Sequence, residues 1–146
     1  MRMIVGVVAV VWLVGADAPA DAVKKDMALF AGEWSMVSGE RDGEAIPEMY
    51  LKSGKRVFKD GEVTVTLGDM LLMKAKVTLD PAAKPKTIDY DVSDGVLKGK
   101  KQLGIYEIDG DTVKFCFVAP DKERPTDFTT KAGSGRSSSV WKKKAK

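Results

Sequence analysis

The chain has 146 residues, a formal net charge of +3 and no histidine. The lack of histidine excludes Ser-His-Asp and Cys-His catalysis and the common zinc sites, which use histidine or several cysteines. Cys116 is the single cysteine, so an intrachain disulfide is excluded, and its position between Phe115 and Phe117 predicts a buried, unreactive thiol.

The first twenty residues have the pattern of a secretory signal peptide. The charged start "MRM" precedes an apolar run from Ile4 to Val14, and the small residues after it end at Ala20. This run is well short of the roughly 20 apolar residues that span a bilayer, which makes a retained anchor the less favoured alternative. We expect residues 1–20 to be a signal peptide and residues 21–146 to form one exported domain, in the periplasm or outside the cell.

The mature chain begins with one short helical candidate, "ADAVKKDMALFAG". Val23, Met27 and Phe30 recur at helical spacing, and Gly32 can end the helix. Strand-like runs then alternate with turns. Asp60-Gly61 and Asp109-Gly110-Asp111 are hairpin signals, and "PAAKPK" is a proline-rich turn.

About eight runs have the alternation of apolar and polar residues that is typical of strands. The clearest are "EVTVTL", "LLMKAKVTLD", "TIDYDV", "QLGIYEI" and "TVKFCFV". Such a pattern favours an antiparallel sandwich or a closed barrel. Closure removes exposed sheet edges, so we predict an all-β fold: a single antiparallel up-and-down barrel of about eight strands with a short N-terminal helix.

No motif in the sequence predicts catalysis. Asp89 and Asp91 share one strand face, and Asp109 and Asp111 share one turn, whereas a glycosidase needs opposed carboxyls across a cleft. "KAGSGRSSS" lacks the lysine and the helix of a phosphate loop, and "DGD" lacks the glutamate of a calcium loop. We therefore predict a protein that is not an enzyme, with no cofactor and no metal site.

A barrel of this size is either filled by side chains or holds one small ligand. The residues that would line an apolar cavity are the same ones that would fill a solid core, so both alternatives stay open. The first is binding of a small apolar ligand or a cell-envelope component. The second is a structural or protein-interaction module. The candidate ligand-binding aromatics are Phe58, Tyr90, Tyr106, Phe115 and Phe117.

The long connection "DKERPTDFTTKAGSG", residues 121–135, predicts a strap that carries one strand to the next. Phe128 is expected to tuck into the core while Pro125 and the glycines set the turns. The alternative is a loop that gates the barrel mouth, with Arg124 and Asp127 as polar contacts to a ligand.

The basic tail, residues 142–146, predicts a solvated terminus, with contact to an anionic membrane as the alternative. Membrane contact is otherwise expected only through the signal peptide. We predict no nucleic-acid binding, because no basic stripe interleaved with aromatic residues accompanies the tail. We expect a monomer.

Four stretches of the mature chain resemble one protein family. They are "LFAGEWSMVSGERDGEAIP", "KPKTIDYDV", "LGIYEIDGDTVKFCFVAPDKERPTDF" and "KAGSG", and the resemblance covers roughly residues 27 to 142. The family is the uncharacterised small-domain family expanded in planctomycete bacteria, usually described as lipocalin-like. The resemblance implies an eight-stranded up-and-down barrel and export, and it implies no activity, because the family has none assigned.

Gly32-Glu33-Trp34 is also similar to the Gly-x-Trp that opens the first strand of lipocalins. In that family the tryptophan closes the barrel floor and a basic side chain from a late strand stacks on it. The resemblance implies a structural role for Trp34, with Arg136 or Lys142 as the stacking cation.

Overall fold

The computed structural model of the chain describes residues 19–145. The apolar run predicted to be a signal peptide lies outside the described residues, and the predicted boundary at residue 20 coincides with the first helical residue. Two helices, α1 (Ala20–Phe30) and α2 (Glu48–Ser53), accompany one sheet. Among residues 19–145, no helix is long and apolar enough to cross a membrane.

The nine strands form one antiparallel sheet in which eight strands close into a barrel. Each strand of the ring pairs with its neighbour in sequence, and β1 pairs with β9 to complete the ring, while the two-residue β2 pairs only with β1. The predicted antiparallel barrel of eight strands with a short N-terminal helix is therefore confirmed. The strands are β1 (Gly32–Arg41), β2 (Glu44–Ala45), β3 (Gly54–Lys59), β4 (Glu62–Leu67), β5 (Met70–Asp80), β6 (Lys86–Gly95), β7 (Lys101–Asp109), β8 (Thr112–Val118) and β9 (Arg136–Lys143).

The two ends of the barrel are built differently. The α1 end holds helix α1 and the hairpin turns at residues 60–61, 81–85 and 110–111. The α2 end holds helix α2, the turn at residues 68–69, the loop at 96–100 and the connection between β8 and β9. Sequence analysis missed α2, because six residues are too few to display a helical period.

Helix α1 closes its end of the barrel by inserting Phe30 into the interior. The Phe30 ring lies 5.0 Å from that of Phe58, 5.1 Å from that of Tyr106 and 5.9 Å from that of Phe115, measured between centroids. Four fully buried rings therefore pack where an open barrel would have a floor. Aromatic pairs at these separations contribute beyond the area they bury.

Polar contacts fasten α1 to the strands beneath it. The Trp34 indole donates to the carbonyl of Phe30 at 2.8 Å, and the buried Asp26 carboxylate accepts from the Tyr106 hydroxyl at 2.6 Å. Lys86 Nζ completes this group, 3.2 Å from the same Asp26 oxygen. Burial and the Asp26 carboxylate raise the pKa of Tyr106.

The predicted strap, residues 121–135, is part of the connection between β8 and β9, residues 119–135. From here on we call this whole connection the strap, and it covers part of the outer wall. Beneath the strap, Ile105, Cys116 and Val118 are buried although strand alternation points them away from the interior. Burial raises the pKa of the Cys116 thiol, in keeping with the predicted buried cysteine. Pro125 is the fully buried residue of the strap.

The expected insertion of Phe128 into the core is not seen. Phe128 is half-buried on the outer wall, where Lys114 Nζ lies 4.8 Å from its ring centroid. Lys114 faces outward because Val113 and Phe115 on either side of it face inward. The strap thus packs against the outside of a barrel whose interior is already occupied.

The basic C-terminal residues also differ from expectation. Lys142 and Lys143 belong to β9, and the amide of Lys144 donates to the carbonyl of Glu33 at 2.8 Å. Backbone pairing therefore holds this segment along the barrel at the α1 end. As far as residue 144, the chain is held in place by backbone hydrogen bonds.

Candidate functional site

An arginine occupies an inward-facing position of β3. Arg56 stands opposite Trp34 of β1 and Val65 of β4, and both of these side chains are buried in the barrel core. Residues directly opposite each other in an antiparallel sheet share a face, so the Arg56 side chain enters the interior. Lys55 and Lys59 of the same strand are exposed on the outer face.

Aromatic rings surround the Arg56 guanidinium. Its central carbon lies 4.7 Å from the ring centroid of Trp141, 4.8 Å from Phe115, 5.5 Å from Phe117 and 5.8 Å from Tyr90. All four separations fall within the range of cation–π attraction. Burial lowers the pKa of Arg56, and Tyr90 opposes this effect, but no carboxylate within residues 19–145 pairs with it.

Three polar atoms at this place have no hydrogen-bond partner. They are Nε and Nη1 of Arg56 and the hydroxyl of Tyr90, and all three are completely buried. No other buried side-chain nitrogen or oxygen in the described range shares this condition. An unsatisfied buried group costs about 1–3 kcal/mol, and more when charged, so native proteins nearly always supply a partner. These atoms therefore mark a place for a hydrogen-bond acceptor inside the barrel.

The interior around Arg56 is covered less completely at the α2 end than at the α1 end. Toward α1, Phe30, Trp34 and Val113 are completely inaccessible to solvent. Toward α2, packing loosens, and Arg56 itself keeps part of its surface exposed. The inward-facing residues that are only partly buried there are Met36, Leu67, Gln102 and Ser137.

Neither of two depressions on the described surface leads to Arg56. The two best-formed depressions of the described surface lie outside the barrel. One, of about 370 Å³, lies between the start of β7 and the strap, and the other, of about 270 Å³, lies on the outer wall of β3–β5. Arg56 is not among the residues that line either depression. A wide apolar cavity, which the first sequence-based alternative required, is not among these spaces.

The structure divides the predicted ligand-binding residues into three groups. Phe58, Tyr106 and Phe115 pack around Phe30 at the closed end, with Phe115 also touching the Arg56 guanidinium. Tyr90 and Phe117 stack 4.6 Å apart beside Arg56. Only this second group lies where a ligand entering from the α2 end would meet it.

The third group, Arg124 and Asp127, is outside the barrel. Arg124 Nη1 donates to Asp89 Oδ1 at 2.6 Å and to the carbonyl of Gly104 at 2.9 Å. Asp127 accepts from Thr129, which lowers the pKa of its carboxyl, and pairs with Arg136 at 3.2 Å. Both residues fasten the strap to the barrel wall and are engaged there.

A lysine other than those expected stacks on Trp34. Lys143 Nζ lies 5.2 Å from the Trp34 ring centroid and donates to the carbonyl of Leu29 at 2.6 Å. The expected cations were wrong because alternation along β9 turns Lys142 outward, while Arg136 pairs with Asp127. Trp34 itself is completely buried beneath helix α1.

Sequence analysis missed Arg56 itself. The run "KRVFK" put Phe58 on the inward face, and Arg56, two residues earlier, necessarily shares that face. A charged residue in phase with a core phenylalanine was therefore a signal present in the sequence. The acidic pairs give no second site: Asp89 is bonded to Arg124, and residues 19–145 contain no group of three acidic or cysteine side chains able to hold a metal ion.

The chain matches no protein-family model, no curated protein and no solved structure. The geometry and charge of the Arg56 site therefore stand alone in suggesting a function.

Proposed function

We propose that this protein is an exported, non-enzymatic binding barrel that takes a small ligand with an anionic group against Arg56 and Tyr90. The observation that carries the proposal is the buried guanidinium, which has unpartnered N–H donors and no ion-pair partner among residues 19–145. The ligand reaches these donors from the α2 end. Export is supported by the signal-peptide pattern of residues 1–20.

A carboxylate can accept hydrogen bonds from these unpartnered groups. An ionised carboxylate only accepts hydrogen bonds, and it can take two or more at once. Arg56 Nε and Nη1 and the Tyr90 hydroxyl are all able to donate. Charge-assisted bonds of this kind are about twice as strong as neutral ones, and the low dielectric of the interior strengthens them further.

The surroundings limit what accompanies the anionic group. The rings of Phe117 and Trp141 border the guanidinium, so the part of the ligand next to the anionic group is short and apolar. The packed interior excludes a long acyl chain in this conformation. The ligand class is thus a small organic acid, which narrows the broader expectation of an apolar ligand.

The test compares carboxylate probes in native mass spectrometry. Residues 21–146 contain the whole closed barrel and are purified without detergent. Acetate and hexanoate serve as probes, and hexanol is the matched uncharged control. We expect hexanoate to bind and hexanol not to bind. Because hydrogen bonds to a charged group are worth about 1.5–3 kcal/mol, Arg56→Met should weaken hexanoate binding roughly 10- to 150-fold.

Two controls separate loss of binding from loss of folding. Lys59→Met removes a cation from the exposed outer face of the same strand, β3, and should leave hexanoate binding unchanged. Urea unfolding of Arg56→Met should give a free energy equal to or up to about 4 kcal/mol above that of the parent, because removing an unpaired buried charge relieves its desolvation. Equal affinity of both proteins for hexanoate would refute the proposal.

The packed interior favours one second candidate, a side-chain-filled barrel that acts as a structural or interaction module. In that protein, buried water would satisfy Arg56 and Tyr90. No probe would then bind the parent protein. The purified parent protein would also show no extra bound mass that disappears on denaturation. That pair of results would favour this second candidate over the first.

A further inference from the structure

Most of the exposed large apolar side chains of this protein lie at the α2 end. Five of the seven in the described range are there, and we call these five the apolar rim. Their relative exposures reach 83% at Val96 and 68% at Met49. The other two, Leu29 and Val37, lie on α1 and in the middle of β1. The apolar rim consists of Met49, Tyr50, Met70, Leu71 and Val96.

Backbone hydrogen bonds place the three segments of the rim side by side. The amide of Gly68 donates to the carbonyl of Ser53 at 2.9 Å, which joins the β4–β5 turn to the end of α2. The amide of Val96 donates to the carbonyl of Leu72 at 3.1 Å, which joins the β6–β7 loop to β5. The rim is therefore a continuous arc around one side of the barrel mouth.

Unpaired lysines continue this arc. Lys98 and Lys100 follow Val96 in the same loop, and Lys101 is the first residue of β7. Lys122 lines a shallow depression together with Lys100 and Lys101. All four are exposed, and none forms an ion pair with any residue between 19 and 145.

The acidic residues of the same turns only partly offset these lysines. Asp69 and Asp94 belong to the β4–β5 turn and the end of β6, and Asp94 accepts from the amide of Gly95 at 2.8 Å. Glu48 of α2 lies 3.5 Å from Lys52. Residues 96–101 therefore carry three lysines and no acidic residue beside the apolar side chains, while Asp121 and Lys122 lie together in the adjoining depression.

We propose that the apolar rim and its lysines dock this protein on an anionic lipid surface. Clustered apolar side chains at a surface mark an interaction site, whereas scattered ones do not. Apolar groups that enter the boundary between headgroups and acyl chains, beside lysines that meet anionic headgroups, give the two attractions used by interfacial segments. Positive charge beside the rim selects an anionic surface as the occupant.

Docking in this way fixes the orientation of the barrel. The mouth that leads to Arg56 faces the lipid, and α1 points away from it. Lys142, Lys143 and Lys144 lie at the α1 end and are remote from the contact. The membrane-facing surface is thus opposite to the basic C-terminal segment that the sequence suggested.

The test is vesicle co-sedimentation of residues 21–146. The lipids are phosphatidylcholine alone and phosphatidylcholine mixed with phosphatidylglycerol. We expect binding to the mixed vesicles, weakened by salt, and little binding to the neutral ones. Since each lysine near an anionic surface contributes about 1 kcal/mol, K100E/K101E should bind the mixed vesicles at least about 30-fold more weakly.

Matched variants at other places on the protein give the controls. K24E/K25E makes the same charge change on exposed residues of α1 and should bind like the parent. Val96→Asp should abolish binding, whereas Val37→Asp, an equal change in the middle of β1, should not. Far-UV circular dichroism and the urea midpoint identify any variant that has not folded.

Three results would overturn the proposal. They are absence of binding to mixed vesicles, equal loss in the rim and control variants, and a parent dimer that Val96→Asp converts to a monomer. The last would identify a second copy of this chain as the occupant of the rim. Arg56→Met should still bind vesicles, so failure of the ligand proposal is distinguishable from failure of this one.

Discussion

Arg56 is the residue at which this barrel departs most from the rule that interiors are apolar. Removing a guanidinium from water costs several kcal/mol even after relaxation, and cation–π contacts return about 0.5–2 kcal/mol each. Four rings face Arg56, yet two of its N–H-bearing nitrogens have no acceptor. A charge of this kind is not needed to fill the core, because methionine has a similar length. Its presence is what one expects of a binding residue.

Tyr90 gives a pH-dependent test of the same interior. Burial raises the pKa of Tyr90 to about 12, against about 10 for an unfolded tyrosine. Between these pH values the unfolded chain has released the phenolic proton and the folded chain has kept it. The contribution of Tyr90 to the free energy of unfolding is therefore constant below about pH 10. As the pH rises from about 10 to 12, this contribution falls by up to about 3 kcal/mol.

The measurement is urea unfolding at several pH values for the parent and Tyr90→Phe. The parent should lose more stability than the variant over this range. Tyr106, whose pKa is also raised, remains in both proteins and provides a shared background. Parallel losses in the two proteins would mean that the Tyr90 hydroxyl is not buried as described.

At the scale of elements, α1 and the strap each cover part of the barrel. Helix α1 closes one end, and the strap covers part of the outer wall. Each covers barrel residues and is fastened by one buried or half-buried ionic contact, Asp26 with Lys86 for α1 and Arg124 with Asp89 for the strap. Neither element belongs to the sheet. Their attachment depends on side chains, so each can be loosened by a single substitution while the barrel stays closed.

For α1, Asp26→Ala should destabilise the protein by about 2–4 kcal/mol. The substitution leaves the buried Tyr106 hydroxyl without its acceptor, which carries most of this cost. It also removes the ion-pair partner of Lys86, whose side chain is 40% exposed. Asp21→Ala, an exposed position of the same helix, should stay within about 0.5 kcal/mol of the parent. Urea unfolding measures both, and equal values would contradict the described contact.

For the strap, Cys116 reports on detachment. The thiol is completely inaccessible beneath the strap, so an aromatic disulfide reagent should react slowly with the parent. Arg124→Ala removes the bonds to Asp89 and Gly104, worth about 1.5–3 kcal/mol, and should speed labelling roughly 10- to 150-fold. Lys122→Ala is the matched strap control and should label like the parent. Unchanged labelling of Arg124→Ala would mean that other contacts hold the strap.

At the scale of the molecule, sequence periodicity predicted the fold class well. Alternation in runs such as "EVTVTL" is a local property, and it carries over directly to the inward and outward faces of a closed sheet. What failed depended on register between distant strands. Lys143 reaches Trp34 because β1 and β9 pair in a register that no short stretch displays. The meeting of Arg56 with Trp141 is of the same kind. Phe128 stays outside on Lys114, while Phe30 from α1 occupies the interior.

The pairing of β1 with β9 has a consequence for biosynthesis. Strand β1 ends at residue 41 and its partner begins at residue 136, so one side of β1 has no permanent neighbour until the ribosome has made nearly the whole domain. Chains emerge from the N-terminus and unpaired strand edges invite aggregation. The nascent chain therefore cannot lock into its final closed form until residues 136–143 have been synthesised.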